Sequence, residues 1–178
     1  MPRDILNLGC GRKKMDAAVN VDVSPHVGAD VVHDLARMPW PLPSDTFARV
    51  YAFDVVEHLE NVPGVMEEIH RVSVPGARVH ITVPHFSSAN AYTDPTHRHQ
   101  FSWFSFDYFE SDHPLAFYSG ARFKRHHAQL VFYPTVTNKI VHRLANRNPQ
   151  AYERRWAWMF PAWFLSVELE VVKEAAAR

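Results

Sequence analysis

Ile5-Leu6-Asn7-Leu8-Gly9-Cys10-Gly11, followed eleven residues later by the Asp22 that closes Val19-Asn20-Val21-Asp22, decides how this chain folds. A short, largely apolar run ending in two glycines reads as a strand entering a tight turn. The next runs repeat the theme. Asp30-Val31-Val32-His33 is a third strand before Asp34, and Arg49-Val50-Tyr51-Ala52-Phe53 is a fourth, stopped by Asp54. Apolar residues at 62, 65, 66, 69 and 72 have helical spacing, with Pro63 suited to a first turn. A Pro75-Gly76 turn and a fifth strand, Ala77 to Val83, follow. Strands alternating with helical stretches predict an α/β fold with a mainly parallel sheet.

From Pro84 to Gly120 the periodicity dissolves into aromatic, His, Ser, Asp and Pro residues. A connection of that length in a compact domain tends to be a lid or a binding loop. Beyond it, Phe123 to Tyr133 and Leu165 to Lys173 read as strands, and Val136 to Ala145 and Tyr152 to Phe160 as helices. The expected organisation is one domain over 1–178, divided into a ligand-binding half (1–83), a substrate-side insertion (84–120) and a C-terminal part (121–178).

In an open α/β sheet, ligands bind outside the carboxyl ends of the strands, where strand order reverses. Gly9 and Gly11 let the backbone pass close to a ligand, and the Asp22 carboxylate can accept hydrogen bonds from the two hydroxyls of a ribose. Asp34 and Asp54 close the third and fourth strands at the same edge; each of the three acids is equally suited to capping a helix start. A dinucleotide fingerprint needs a small residue where Lys14 stands, and only Arg12 to Ala18 are available for a crossover helix, which disfavours a nicotinamide enzyme. No P-loop pattern occurs. Cys10 reads as a small space-filling residue beside the glycines, not a nucleophile.

Taken in order, LNLGCG, VNVDVSP, ADVVHDL, AFDVVEHLENV and EEIHRVSVPGARVHITVP resemble a class I S-adenosylmethionine-dependent methyltransferase, of the small, type 11-like group with a shortened first helix. The likeness runs from Ile5 to about Val83, and DPTHRHQF and VELEVVK resemble later segments of that group. It implies a single-domain Rossmann-like methyltransferase fold, a mainly parallel twisted sheet with a C-terminal antiparallel strand. It implies S-adenosylmethionine as cofactor. Gly9, Cys10 and Gly11, with Asn7 beside them, would pass under its methionine part, and Asp22 with Val23 would hold the ribose. Asp34 and Leu35 would flank the adenine, and Phe53 with Asp54 would line the sulfonium side. The first strand begins so early that either the pocket is open or the 84–120 segment closes it.

Transfer of an activated methyl group asks the protein to align the acceptor, exclude water and supply a base for a hydroxyl or amine. Histidine serves near neutral pH, and seven of the twelve lie between His80 and His127. His58, His85 and His97 are the candidate catalytic residues, placed just after strands four and five. His70 and His80 fall inside a helix and a strand and are assigned nothing. His97-x-His99 with His85 and Asp94 is a weak metal pattern, so no metal centre is expected. The expected activity is methylation of an O or N atom on a small-molecule or lipid- or sugar-linked acceptor. The alternative is a non-catalytic, cofactor-binding partner protein. Phe53-Asp54-Val55-Val56 stands where base-modifying enzymes carry an Asn-Pro-Pro-Tyr type motif, and net charge is zero, so nucleic acid is not the expected partner.

Zero net charge conceals an asymmetry. Residues 1–119 carry 9 Lys and Arg against 15 Asp and Glu, a net of −6, and residues 120–178 carry 10 against 4, a net of +6. Eight of those cations fall between Arg122 and Arg155 with one acid, Glu153, just before Trp156-Ala157-Trp158-Met159-Phe160-Pro161-Ala162-Trp163-Phe164. Cations beside aromatic rings make an interfacial composition, which predicts peripheral contact with an anionic membrane; an aromatic helix covering the sheet is the competing explanation. No secretory leader is expected from the Met-Pro-Arg-Asp start, and the twelve residues Trp156 to Val167 are too few to span a bilayer. A cytoplasmic location is expected. One cysteine excludes an internal disulfide.

Overall fold

In the computed structural model, which describes residues 3–173, seven strands form one sheet in the order β3-β2-β1-β4-β5-β7-β6. They are β1 (Ile5–Leu8), β2 (Ala18–Asp22), β3 (Val31–Val32), β4 (Phe47–Phe53), β5 (Ser73–Pro84), β6 (Phe123–Val131) and β7 (Phe164–Val171). Pairings from β3 through β5 are parallel, and β7 runs antiparallel to both β5 and β6. The sequence grows outward from β1 in one direction and then jumps to β4 in the other, so the chain reverses between β1 and β4. That reversal is where a crevice opens.

Helix α1 (Val62–Val72) has the predicted bounds because its ends are chemically marked: the Asn61 side chain accepts from Gly64 N at 3.0 Å, and Pro63 occupies the first turn. Its apolar stripe, Val65, Met66, Ile69 and Val72, is fully buried against the sheet. β5 starts four residues earlier than expected. Between the pairs Phe47↔Ser73 and Arg49↔Arg78 one strand advances two residues and the other five, so Pro75-Gly76 forms a bulge within the strand, with Gly76 at φ +77°.

The connection from β1 to β2 contains no helix. Instead, two neighbouring strand asparagines, both buried, hold the loop by their amides. Asn7 Nδ2 donates to Asn20 Oδ1 (2.9 Å) and to the Lys13 carbonyl (3.1 Å), and Asn20 Oδ1 also accepts from Met15 N. Asn20 donates from its backbone and its side chain to Asp30 Oδ2 at 2.8 and 2.9 Å. Those bonds hold the Asp30 carboxyl far below the usual carboxylate range.

One face of the central strands, Val50 and Ala52 with Val79, Ile81, Val83, Leu165, Val167 and Leu169, is completely buried. Phe101, Phe106 and Phe109 of the 84–120 segment and α1 belong to the same core. The other face, Arg49, Tyr51 and Phe53 with Arg78, His80, Glu168 and Glu170, reaches solvent. Its charges pair across strands: Arg78 lies 3.3 Å from both Glu168 and Glu170. Parallel sheets are normally covered on both sides. Here the β1–β2 and β3–β4 connections, which could carry covering helices, have none.

The 84–120 segment holds a short helix α2 (Asn90–Thr93) and 3-10 turns at Ser105–Phe109 and Ala116–Tyr118. In the C-terminal part, α3 (Val136–Arg147) runs beside β6, where the Asn146 side chain hydrogen-bonds both Leu130 N (2.8 Å) and Leu130 O (2.9 Å) and so caps that sheet edge. The expected Tyr152–Phe160 helix is displaced: α4 spans Pro149–Arg155, because Asn148 caps it at Ala151 N and Pro149 fits its first turn. The aromatic run thus lies outside a helix. Trp158 is 70% exposed and Met159 66%, so these side chains do not cover the sheet. Among the described residues no helix is long and apolar enough to cross a membrane.

Candidate active site

The parallel β1, β2, β3 and β4 present their carboxyl ends on one rim. Gly9 (φ +60°) and Gly11 (φ +49°) take the left-handed conformation that glycine adopts without strain. A Cβ on Gly9 would stand 2.5 Å from Val55 Cγ2, whereas one on Gly11 would project into open space. The backbone at Gly11 is therefore bare toward the crevice. Cys10 is buried, its thiol pushed up by burial and by the nearby Asp22 charge, which suits the space-filling role.

Asp22 fixes this turn as well as facing the rim. Its Oδ2 accepts from Gly11 N at 2.7 Å and its Oδ1 from Ser24 N at 2.9 Å, which leaves lone pairs on both oxygens for a ligand's hydroxyls. Val23, the residue after the end of β2, is 64% exposed. Asp34 is drawn into its own turn, accepting from Ala36 N at 3.0 Å with Arg37 3.5 Å away. Leu35 is buried and its carbonyl accepts from the Trp40 indole at 3.0 Å. Phe53 is partly exposed; Asp54 has φ +55° and its Oδ1 accepts from Thr82 Oγ1 at 3.0 Å. Asn7 departs from expectation. The residue is buried and its Nδ2 donates to Asn20 and to the Lys13 carbonyl, so its amide nitrogen shapes the loop.

Beside this rim, at the carboxyl ends of β4 and β5, lies a pocket of about 560 Å³ lined by Asp54, Glu57, His58, Asp94, His97 and Phe164 among others. Two distant pieces of sequence build it. Arg98 N donates to the Glu57 carbonyl at 2.8 Å and His99 Nε2 bonds the Glu60 carbonyl at 3.0 Å, which stitches the 94–99 loop to the turn after β4. The His58 and His97 rings consequently meet edge to face, 4.6 Å between centroids. His58 Nδ1 lies 2.8 Å from Thr96 Oγ1, and that hydroxyl donates its proton to Asp94 Oδ1 at 2.7 Å. Burial and the neighbouring His97 lower the His58 pKa, which favours the neutral ring.

Sequence reasoning named His58 and His97 but passed over Glu57. Its side chain is 1% exposed, and neither carboxylate oxygen has a protein partner among the described residues. Burial, assisted by the Asp54 and Asp94 charges, pushes its carboxyl up to about 7. An acid set among Val55, Val56 and Leu59, directly before a candidate histidine, was the available signal.

His85 is a correction. It is completely buried, with Nδ1 2.8 Å from Ser87 Oγ and Nε2 3.1 Å from Glu153 Oε1, and it does not line the pocket. Glu153 Oε1 also accepts from Trp103 N, so His85 ties β5, the 84–120 segment and α4 together. It is a structural pin, because both ring nitrogens are engaged inside the core.

The architecture has solved counterparts. An S-adenosylmethionine-dependent methyltransferase from Mesorhizobium loti is 17% identical, with 96% of this chain and 93% of that one covered at a TM-score of 0.61. One from Archaeoglobus fulgidus is 19% identical, covering 93% and 85%, at 0.59. A Haemonchus contortus phosphoethanolamine N-methyltransferase in complex with S-adenosyl-L-methionine is 12% identical, covering 96% of this chain and 48% of its own, at 0.56. A search of curated protein sequences found no match. Residues 2–131 match the sequence profile of a family described as a methyltransferase domain, and the glycine turn, the strand-end acid and the 3-2-1-4-5-7-6 sheet agree with it: the chain belongs to the class I S-adenosylmethionine-dependent methyltransferases.

Proposed function

We propose that this protein transfers a methyl group from S-adenosylmethionine to an O or N atom of a small-molecule or lipid- or sugar-linked acceptor held in the pocket between Asp54 and His97. The observation that carries the proposal is the position of that pocket, directly beyond Asp54 at the end of the cofactor rim, with two imidazoles on its wall. S-adenosylmethionine supplies a methyl group already activated on a sulfonium sulfur. Gly9 and Gly11 offer a Cβ-free path along the rim, Cys10 fills the space behind it, Asp22 accepts from the ribose hydroxyls, and Val23 covers an apolar edge. Asp34, Leu35 and Phe53 complete the adenine and sulfonium sides. Neutral His58, or His97 beside it, accepts the proton that a hydroxyl or amine acceptor releases. This histidine-lined pocket favours turnover over a cofactor-binding partner role.

A lipid-linked acceptor is favoured by α3. Val136, Ile140 and Leu144 are 82, 65 and 61% exposed, at helical spacing, and Lys139, Arg143 and Arg147 alternate with them on the exposed surface. Trp156, Trp158 and Met159 add exposed apolar area after α4. An apolar stripe flanked by cations matches a surface of anionic headgroups over acyl chains. In this reading the protein works in the cytoplasm and touches the membrane through α3.

The test incubates the purified chain and methyl-labelled S-adenosylmethionine with free sugars and amines and with their lipid-linked counterparts. S-adenosylhomocysteine release with at least one acceptor is expected, falling about 10²–10⁴-fold in the variant lacking the base, His58→Ala or His97→Ala. Cofactor binding without release on any acceptor would establish the partner role instead. Flotation with phosphatidylglycerol vesicles should carry the protein at low salt and release it at high salt.

A further inference from the structure

Glu57, His58 and His97 each offer one ligating atom within 4.8 Å of the other two. They converge because Glu57 and His58 share the 3-10 turn Val56–His58, and the 94–99 loop is stitched to that turn through the Glu57 carbonyl. The contact between them is not a hydrogen bond: His97 Nε2 stands 4.0 Å from Glu57 Oε1, beyond hydrogen-bond reach. That separation is a few tenths of an ångström beyond the roughly 3.3–3.6 Å between neighbouring ligands of a tetrahedral ion with bonds of about 2.0–2.2 Å, a gap that a small side-chain rotation closes.

The protonation pattern fits ligation. Thr96 gives its only hydroxyl proton to Asp94, so its oxygen accepts from His58 Nδ1–H, which leaves the lone pair of the neutral ring on Nε2. His97 Nδ1 faces the Ala91 carbonyl at 3.4 Å, which likewise leaves Nε2 as the lone-pair nitrogen, on the side of Glu57. Metal-binding histidines are oriented in this way, with one ring N–H tied to a carbonyl or carboxylate-linked oxygen and the other nitrogen free. Meanwhile, among the described residues, buried Glu57 has no partner for either oxygen and no lysine or arginine lines the pocket. A buried carboxylate without a cation is costly.

We propose that Glu57, His58 and His97 bind a first-row divalent transition metal on the wall of the pocket. Two imidazoles and one carboxylate select zinc, iron, cobalt or nickel over magnesium and calcium, which take oxygen ligands. Three protein ligands leave positions open toward the pocket. Resting on the acceptor reading above, those positions hold an acceptor oxygen and ease the loss of its proton to water, so the ion takes over the base's task in the metal-loaded protein and His58 and His97 act as bases only in the metal-free chain.

Cobalt(II) titration of the chelator-treated full chain tests this, read by calorimetry and by the visible d–d absorption of the bound ion. The expected result is one Co²⁺ per chain with a dissociation constant below about 10 µM. Glu57→Gln and His97→Ala should each weaken binding at least about tenfold, and His99→Ala should not. Far-UV circular dichroism checks each variant, and His58→Asn replaces either one that fails to fold. No saturable cobalt binding, or binding that survives Glu57→Gln and His97→Ala, overturns the site. Parallel titration with S-adenosylmethionine separates the two proposals. Cofactor binding without cobalt binding removes only the metal site; cobalt binding without cofactor binding supports the metal site and removes the acceptor role.

Discussion

The cofactor rim and the histidine pocket adjoin at Asp54, yet they are built in opposite ways. Along the rim each functional group stands at the end of the strand that positions it or within three residues beyond, and backbone geometry carries much of the chemistry: Gly9, Gly11 and the Asp22 carboxylate that holds Gly11 N. The pocket joins a turn after β4 to a loop about 40 residues later, and side chains carry its chemistry. Strand-end sites are therefore sensitive to backbone changes, while the pocket is sensitive to the packing that holds the 84–120 segment in place.

The largest effect that would sharpen this contrast is at Gly9. Alanine there meets Val55 at 2.5 Å in a left-handed backbone, and should cost about 2–4 kcal/mol by thermal or denaturant unfolding, with cofactor binding lost. Gly11→Ala, whose Cβ meets nothing, should cost about 1–2 kcal/mol from backbone strain alone. Equal losses would show that crowding does not set the rim.

On the pocket side, two histidines should separate. His85→Ala leaves Glu153 and Ser87 without their buried partner and should destabilise by about 2–4 kcal/mol, whereas His58→Ala should cost under about 1 kcal/mol and act on turnover. A His85→Ala protein as stable as the wild type would remove its role as a pin.

Acid should loosen the rim before the pocket. Asp30 has a depressed carboxyl in the folded state, so its contribution is present above about pH 4, the ordinary Asp value, and is lost as pH falls below it. Asp30→Asn should flatten that acid limb of the stability profile, read by urea unfolding from pH 3 to 7. An unchanged limb would assign acid sensitivity elsewhere.

The smallest effect on stability belongs to Trp158→Ser, within about 0.5 kcal/mol, because the ring is exposed. Vesicle binding should nevertheless fall several-fold. Strong destabilisation would return the aromatic run to the core.

What the sequence made legible follows the same divide. The glycine turn, the strand-end acids and α1 were readable because each is specified by near neighbours: Asn61 and Pro63 mark the start of α1, and Asp22 sits one strand from the turn it holds. The pairing of His58 with His97 and the burial of Glu57 were not, since both depend on hydrogen bonds between the 57–60 turn and the 94–99 loop. His85 looked equivalent to His58 from its position after a strand, and only the approach of Glu153 from α4 shows that it is sealed in. Asn7 entered the cofactor set through the family resemblance, as the strand residue two positions before Gly9. Its amide nitrogen is taken up by Asn20 of β2 and by the loop that replaces a crossover helix.

The most direct test of the account is calorimetric titration with S-adenosylmethionine, using the wild type, Asp22→Ala and Asp22→Asn, with folding checked by circular dichroism. One cofactor per chain is expected. Asp22→Ala should weaken binding at least tenfold, because two charge-assisted hydrogen bonds of about 1.5–3 kcal/mol each are lost, and Asp22→Asn should fall between. No binding by the folded wild type, or the same affinity in all three proteins, would contradict it.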